Sequence, residues 1–327
     1  MKGEIKRGLG SCQPPPGPLL HKEGELKVGK TKMAELKRFG YVSLLGRPNV
    51  GKSTLFNRLI GTKLAITSSK PQTTRNRITG ILSAPEGQIV FWDLPGIHKA
   101  FGTLNKRMVS IALGGLDAID LGLWIIDAKK DATVDEFMMG HIKAKKPPLI
   151  LVMNKIDLIK KQELYPMVDL YRKAYDFKEI VPVSALKDKD MTELTKAILT
   201  HLPEGDPMFP EDSLTDIPER DLVAEMVREK VFQLTHEEVP YSTAVEILAF
   251  EEKSKLIRIS ADIWVEKQSQ KGIIIGKSGE MIKKIGILSR TDIEALLGNK
   301  VFLELNVKVK ENWRDKPTAL DQLGIRG

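Results

Sequence analysis

The chain holds one cysteine, Cys12, in 327 residues. No intrachain disulfide can form, and the sequence fits a reducing compartment in which a lone thiol in a loose tail has no structural task. Long apolar runs are also missing: nothing approaches the roughly 18 uninterrupted apolar residues that a membrane span needs. The opening stretch MKGEIKRGLGSCQPPPGPLL carries basic side chains without an apolar core, so it does not read as a secretory signal. Glu4, Glu23 and Glu25 break the acid-poor pattern of a transit peptide. No internal repeat is visible.

The net charge of +8 is unevenly placed. Residues 1–38 hold 9 Lys/Arg against 4 Asp/Glu, residues 39–218 hold 24 against 21, and residues 219–327 hold 18 against 18. The excess sits mostly in the tail, so overall basicity is weak evidence for a nucleic-acid partner. One local cluster is stronger: Lys267, Lys271, Lys277, Lys283, Lys284 and Arg290, interrupted by Glu280 alone.

Residues 1–38 are rich in Pro, Gly and Lys without apolar periodicity and are expected to be a disordered extension. Met33 opens MAELKRFGYVSLLG, which runs into the first convincing strand, and is the expected natural start. From Phe39 the runs YVSLLG, QIVFWDL, LGLWIIDA, PPLILVMN and EIVPVSA read as strands buried on both faces, with helical stretches between them. That rhythm predicts an α/β domain with a mostly parallel sheet over 39–205. The prolines and acids of 206–218 predict a linker. Over 219–327 the order becomes α-β-β-α-α-β, a smaller α+β unit. Its strand KLIRISADIWVE alternates Ile257, Ile259, Ala261, Ile263 and Val265 with Arg258, Ser260, Asp262, Trp264 and Glu266, which predicts a half-buried strand.

Directly after the first strand stands GRPNVGKST: Gly46, Arg47, Pro48, Asn49, Val50, Gly51, Lys52, Ser53 and Thr54. Strand, glycine turn and helix are the setting a phosphate loop requires. Its backbone N–H groups cradle a β-phosphate, Lys52 neutralises the β/γ oxygens and the Ser53 hydroxyl ligates Mg²⁺. At the end of a following strand, Asp93, Leu94, Pro95, Gly96 and Ile97 form a second element. There Asp93 would hold the Mg²⁺ water shell and the Gly96 N–H could reach a γ-phosphate. Asn154, Lys155, Ile156 and Asp157 follow a third strand. A carboxylate at Asp157 can accept from both the ring N–H and the exocyclic amine of guanine, which adenine cannot supply. Such hydrogen bonds discriminate by about 10⁴-fold. Ser184, Ala185 and Leu186 complete the set, with the Ala185 N–H aimed at the guanine oxygen. Each tetrapeptide is weak alone; all four in order, each at a strand end, specify GTP/GDP.

In the smaller unit, Gly276, Lys277, Ser278 and Gly279 lie between two predicted helices, where a type II KH domain carries its G-x-x-G clamp on single-stranded RNA. Lys277 and the Ser278 hydroxyl would face phosphates, and Lys283 and Lys284 extend the charge.

With these motifs the sequence resembles the Era family of bacterial ribosome-assembly GTPases, and VPYSTAVEI, VFLELNVKVKENWR and LDQLGI strengthen the likeness. The resemblance implies a P-loop GTPase domain followed by a type II KH domain. It makes KPQTTRNRI the first switch, with Thr74, or with less support Thr73, closing over Mg²⁺ and the γ-phosphate beside Lys52 and Gly96. Ile97 stands where many GTPases place a water-orienting glutamine; it can neither donate nor accept, so slow intrinsic turnover is expected. Asn49 occupies the position from which some relatives hold K⁺. His98 reads as a loop residue before a catalytic base. Asn306 replaces a tryptophan frequent in the family and is expected to face outward. The resemblance further implies binding near the 3′ end of 16S rRNA in the small (30S) ribosomal subunit, a monomer, and peripheral contact with the inner membrane, for which no anchor is seen. Two other readings stay open at this level: an RNA-binding structural protein whose nucleotide site only stabilises the fold, and a membrane-signalling GTPase.

Overall fold

The computed structural model describes residues 20–21, 38–68, 70–97, 101–131, 133–188, 190–253 and 256–326. Cys12, Met33, His98 and nearly all of the expected N-terminal extension lie outside them. The first part of the chain forms β1 (Leu20–His21), β2 (Arg38–Leu45), α1 (Lys52–Ile60), β3 (Ile78–Ala84), β4 (Gly87–Asp93), α2 (Gly102–Gly114), β5 (Leu121–Asp127) and α3 (Glu136–Lys145). Then follow β6 (Leu149–Asn154), α4 (Lys161–Ala174), β7 (Glu179–Pro182), α5 (Thr192–His201) and β8 (Ser213–Thr215). The remainder is α6 (Glu219–Leu234), β9 (Ala244–Lys253), β10 (Leu256–Val265), α7 (Gln268–Ile275), α8 (Glu280–Leu297), β11 (Lys300–Val309) and α9 (Pro317–Gln322).

The five apolar runs become β2, β4, β5, β6 and β7, parallel neighbours in a six-stranded sheet of order β3-β4-β2-β5-β6-β7. Every residue of β5 and β6 is buried, the signature of strands covered on both faces. Leu55, Phe56 and Leu59 of α1 and Leu194 and Ile198 of α5 cover one face. Ala112 of α2, Met138 and Ile142 of α3 and Tyr171 of α4 cover the other. The antiparallel edge strand β3 escapes the sequence reading because Thr79, Gly80 and Ser83 dilute its apolar pattern. Gly80 is needed there: a Cβ would fall 2.6 Å from Phe56. With these strands parallel, the carboxyl ends of β2, β4, β5 and β6 share one edge, where open α/β sheets bind ligands.

The second sheet has order β11-β10-β9, with β10 parallel to β11 and antiparallel to β9. Helices α6, α7 and α8 pack on it around Val227, Ile259, Ile274, Ile285 and Val307. The expected α-β-β-α-α-β order is present, with α9 appended. One expectation fails. Asp262 and Trp264 are buried, although alternation places them on the solvent side of β10. Leu104 and Met108 of α2, with Trp313, Leu320 and Ile325, cover Trp264 there, so β10 is sandwiched between two layers. Asn306 is exposed on β11 beside Asp262, as expected. Within the segment read as a linker, β8 pairs with β1, and the Thr215 hydroxyl donates to the Thr79 carbonyl of β3 at 2.6 Å. Among the described residues no helix is long and apolar enough to cross a membrane.

Candidate active site

The turn after β2 is built from backbone conformations that side chains resist. Gly46 and Gly51 have φ of 148° and 100°. A Cβ would lie 2.4 Å from the Ile125 carbonyl oxygen at Gly46 and 2.3 Å from Asn154 Nδ2 at Gly51. The turn leads into α1, whose first residues are Lys52, Ser53 and Thr54. The Lys52 amine is buried and donates to the carbonyls of Gly46 at 3.3 Å and Arg47 at 3.1 Å. Burial lowers its pKa to about 8, with Asp93 pulling the other way.

Three oxygens converge beside it. The hydroxyls of Ser53 and Thr74 donate to Asp93 Oδ2 at 2.6 and 3.0 Å and lie 3.0 Å from each other. Thr73 is not the residue placed here: its neighbour Thr74 carries the hydroxyl that meets Ser53, while the Thr73 carbonyl accepts from Arg228. Asp93 Oδ1 is buried with no hydrogen-bond partner. Burial pushes the Asp93 carboxyl up, against the pull of Lys52 and of the two hydroxyls. A buried carboxylate oxygen without a partner, beside two converging hydroxyls, is a donor set that fits Mg²⁺. Among the described residues no cluster of three or more His, Cys, Asp or Glu is placed to hold a metal. One carboxylate with hydroxyls suits a hard cation completed by phosphate and water oxygens.

Leu94, Pro95 and Gly96 carry the chain from β4 back against the phosphate loop, so closely that a Cβ on Gly96 would lie 2.8 Å from the Pro48 nitrogen. Ile97 is 2% exposed, packs in the core with Trp92 and Leu94, and donates its N–H to the Gly46 carbonyl at 3.3 Å. It is a tether of the loop, and its apolar side chain has no group with which to orient water.

The base-reading elements assemble at the ends of β6 and β7. Asn154 Nδ2 donates to the Val50 carbonyl at 2.8 Å, tying this loop to the phosphate loop. Lys155, at φ 64°, donates to the Asn49 carbonyl at 2.6 Å and pairs with Asp127 at 2.7 Å. Ile156 hangs from the Val183 carbonyl. Asp157 accepts from the Ser184 hydroxyl at 2.7 Å, which holds its carboxyl below the usual range with help from Lys187. The Ala185 N–H, read as aimed at the guanine oxygen, donates here to Asn154 Oδ1 at 3.0 Å, and Leu186 is 73% exposed. The Arg47 side chain also turns away from the phosphate side, onto Asp131 at 3.3 Å and Asp135 at 2.5 Å.

Asp127 and Asp131 are site residues the sequence reading missed. Asp131 accepts from the Asp127 N–H at 2.8 Å, so the Arg47 and Lys155 contacts form one network. The available signal was position: Asp127 ends a buried parallel strand, where α/β sheets place ligand contacts.

The second candidate site lies on the smaller sheet unit. Gly276, Ser278 and Gly279 have φ of 73°, 51° and 80°, a tight turn between α7 and α8. Lys277 and Ser278 are exposed at its tip, and Lys283 and Lys284 are exposed on the first turns of α8. Ile273 of α7 and Ile287 and Leu288 of α8 are exposed apolar side chains of the same two helices.

Comparison with known proteins bears directly on this pair of sites. A family model described as "50S ribosome-binding GTPase" matches residues 41–155, and a KH-domain model matches 238–314. The GTPase Era of Geotalea daltonii is 51% identical over 287 residues, 87% of this chain and 97% of its own length. That of Geobacter sp. strain M21 is 53% identical over 295 residues, 89% and 99% of the two chains. This chain belongs to the Era family of GTPases. A variant of Aquifex aeolicus Era solved with GDP·AlF₄⁻ superposes with a TM-score of 0.86 at 43% identity, covering 89% of this chain and all of that one. Era solved with MgGDPNP and nucleotides 1506–1542 of 16S ribosomal RNA gives 0.86 at 42% identity, with the same coverage. The fold is therefore a P-loop GTPase domain with a mostly parallel sheet followed by a KH domain, and the chain hydrolyses GTP.

For an Era GTPase the depressed Lys52 amine has a measurable consequence. Burial lowers the amine's pKa to about 8; with Lys52 read as the residue that meets the phosphates, bound phosphate would return it to its ordinary range, and proton uptake on binding is the expected result. GTP affinity is then level below pH 8 and falls about tenfold per pH unit above it. Calorimetry at pH 9 in two buffers of different ionisation enthalpy should show uptake of about one proton per GTP bound. Zero uptake would contradict this reading of the site.

Proposed function

We propose that this Era GTPase is a GTP-driven switch that binds the 3′ region of 16S rRNA and acts in small-subunit assembly. Residues 39–205 serve as the GTPase unit, 206–218 as the connection and 219–327 as the RNA unit. One observation carries the reading: a complete guanine-nucleotide site and an exposed G-x-x-G turn flanked by lysines stand on one chain. The Era structure holding both MgGDPNP and a 16S rRNA segment supports it. In the GTPase unit, Lys52 neutralises β/γ oxygens, the Gly96 N–H approaches the γ-phosphate, and Asp157 reads guanine while Asn154 and Lys155 lock its loop. Ser53, Thr74 and Asp93 would hold Mg²⁺, which supplies positive charge to the phosphates. Asn49, in a left-handed conformation within the phosphate loop, is the residue we assign to K⁺. With Ile97 in the core, intrinsic turnover is slow. In the RNA unit, Gly276, Lys277, Ser278 and Gly279 grip the RNA backbone, with Lys283 and Lys284 adding charge. Peripheral contact with the membrane remains part of the proposal; among the described residues no helix is long and apolar enough to cross one.

The test is binding of a short single-stranded RNA copied from the 3′ end of 16S rRNA, against a scrambled control, with GDP and with a non-hydrolysable GTP analogue. Selective binding that is tighter in the GTP form is expected. Equal affinity in both nucleotide states would remove the switch and leave the RNA-binding GTPase.

A further inference from the structure

Residues 63–75, the approach to and first part of the segment read as the first switch, lie against the RNA unit through a row of polar contacts. Lys63 pairs with Glu229 of α6 and with Asp292 of α8 at 2.9 Å. The Thr67 N–H donates to Glu229 at 3.1 Å, and Lys70 donates to the Phe232 and Thr235 carbonyls at the end of α6. Arg228 donates to the Thr73 carbonyl. The last contact is the most demanding. Arg75 is 5% exposed, and its guanidinium enters the turn between α6 and β9. There it donates to the carbonyls of Thr243 at 2.6 Å, Tyr241 at 2.9 Å and Pro240 at 3.5 Å. Its centre lies 5.5 Å from the Trp313 ring, which donates its own N–H to Ser242 of the same turn at 2.9 Å.

Among the described residues no carboxylate pairs with Arg75, so its charge is held by carbonyl oxygens and an aromatic face. A buried guanidinium persists in such a socket only because its planar fork matches several acceptors at once. Thr74 stands between two residues fixed in this way, Thr73 by its carbonyl and Arg75 by its side chain. Pinning the Thr73 carbonyl on one side and the Arg75 guanidinium on the other narrows the two soft backbone torsions of Thr74, and its stiff β-branched rotamer then aims the hydroxyl. It points at Asp93 and Ser53.

We infer that Arg75 is a positioning residue for GTP hydrolysis: from its socket in the RNA unit it holds Thr74 closed over the phosphate and metal site. The inference rests on the reading of Thr74 as the switch residue. It makes the RNA unit part of the hydrolytic machinery, since half of the clamp on Thr74 is built from the 240–243 turn.

The test compares the full chain with Arg75→Ala, Arg75→Lys and Thr74→Ala and with the Thr74→Ala/Arg75→Ala pair, measuring kcat, KM and GDP affinity. In Arg75→Ala, kcat is expected to fall about 10- to 100-fold, with GDP affinity within about twofold of native. Lysine keeps the charge and one donor and should recover part of kcat. In the Thr74→Ala background the Arg75 substitution should have no further effect, because both changes remove the same placed hydroxyl. Unchanged kcat in both Arg75 variants overturns the inference, as does a loss that adds to that of Thr74→Ala or that lowers GDP affinity in parallel. Full kcat in Thr74→Ala would instead sink the reading of Thr74, and the inference with it. Should Arg75→Ala not fold, Arg75→Lys is read the same way.

Discussion

Lys52→Ala is expected to reduce GTP turnover by about 10³-fold while leaving the thermal midpoint level or raised. The two halves have different physical origins. The ammonium is buried at the turn proposed to meet the phosphates, and removing a preorganised charge from a low-dielectric site typically costs a factor of this size. In the absence of phosphate the same amine sits among the carbonyls of Gly46 and Arg47, with its pKa lowered from 10.5 to about 8. Holding it charged at neutral pH therefore opposes folding by about 3 kcal/mol, which alanine removes, offset by the loss of two hydrogen bonds. Multiple-turnover kinetics with thermal denaturation of the same samples provides the check. A variant that loses activity together with several degrees of stability would mean that Lys52 is structural first. The same assay in KCl and in NaCl tests Asn49: faster turnover in K⁺ is expected, and equal rates would remove K⁺ from the site.

Gly279→Asp is expected to weaken binding of the 16S rRNA 3′ sequence by about 30- to 100-fold at moderate salt without unfolding the KH domain. The G-x-x-G turn contains two glycines that are not equivalent. At Gly276, with φ 73° and ψ 176°, a Cβ would lie 2.7 Å from Met281 Cβ, so any side chain there disturbs the start of α8. At Gly279 no atom lies within 4 Å of where the Cβ would be, and φ 80°, ψ 10° is a left-handed conformation that aspartate tolerates. Gly279 also stands at the N-terminus of α8, where a carboxylate meets the positive end of the helix. The open space beside it is where RNA backbone would approach, and a carboxylate there meets phosphate at close range. Fluorescence anisotropy with the RNA and a melting curve separate the two effects. Unchanged affinity in a folded Gly279→Asp protein would show that the turn is not the clamp.

Both candidate sites can be read in the sequence for the same reason. Each is made by a few contiguous residues whose glycines permit a particular backbone path and whose side chains then have only one direction in which to act. Lys52 and Ser53 follow Gly51 by one and two positions, and Lys277 and Ser278 lie between Gly276 and Gly279. The strands were legible because burial on both faces leaves continuous apolar runs. Edge strand β3 was not, since Thr79, Gly80 and Ser83 carry no such signal.

What stayed hidden depends on partners far away in the chain. Arg75 reads as one more polar residue in a polar loop, and its acceptors lie more than 160 positions on. Trp264 reads as solvent-facing until α2 and the residues after β11 are brought across β10. Ile97 could be read as unable to orient water, but its place in the core beside Trp92 and Leu94 could not. The sequence by itself determined the nucleotide, the two sheets and the two glycine turns, because backbone torsion and strand burial are written in neighbouring residues. Only the tertiary structure decided that Arg75 is seated in the 240–243 turn, because a buried guanidinium has meaning only with the carbonyls that surround it.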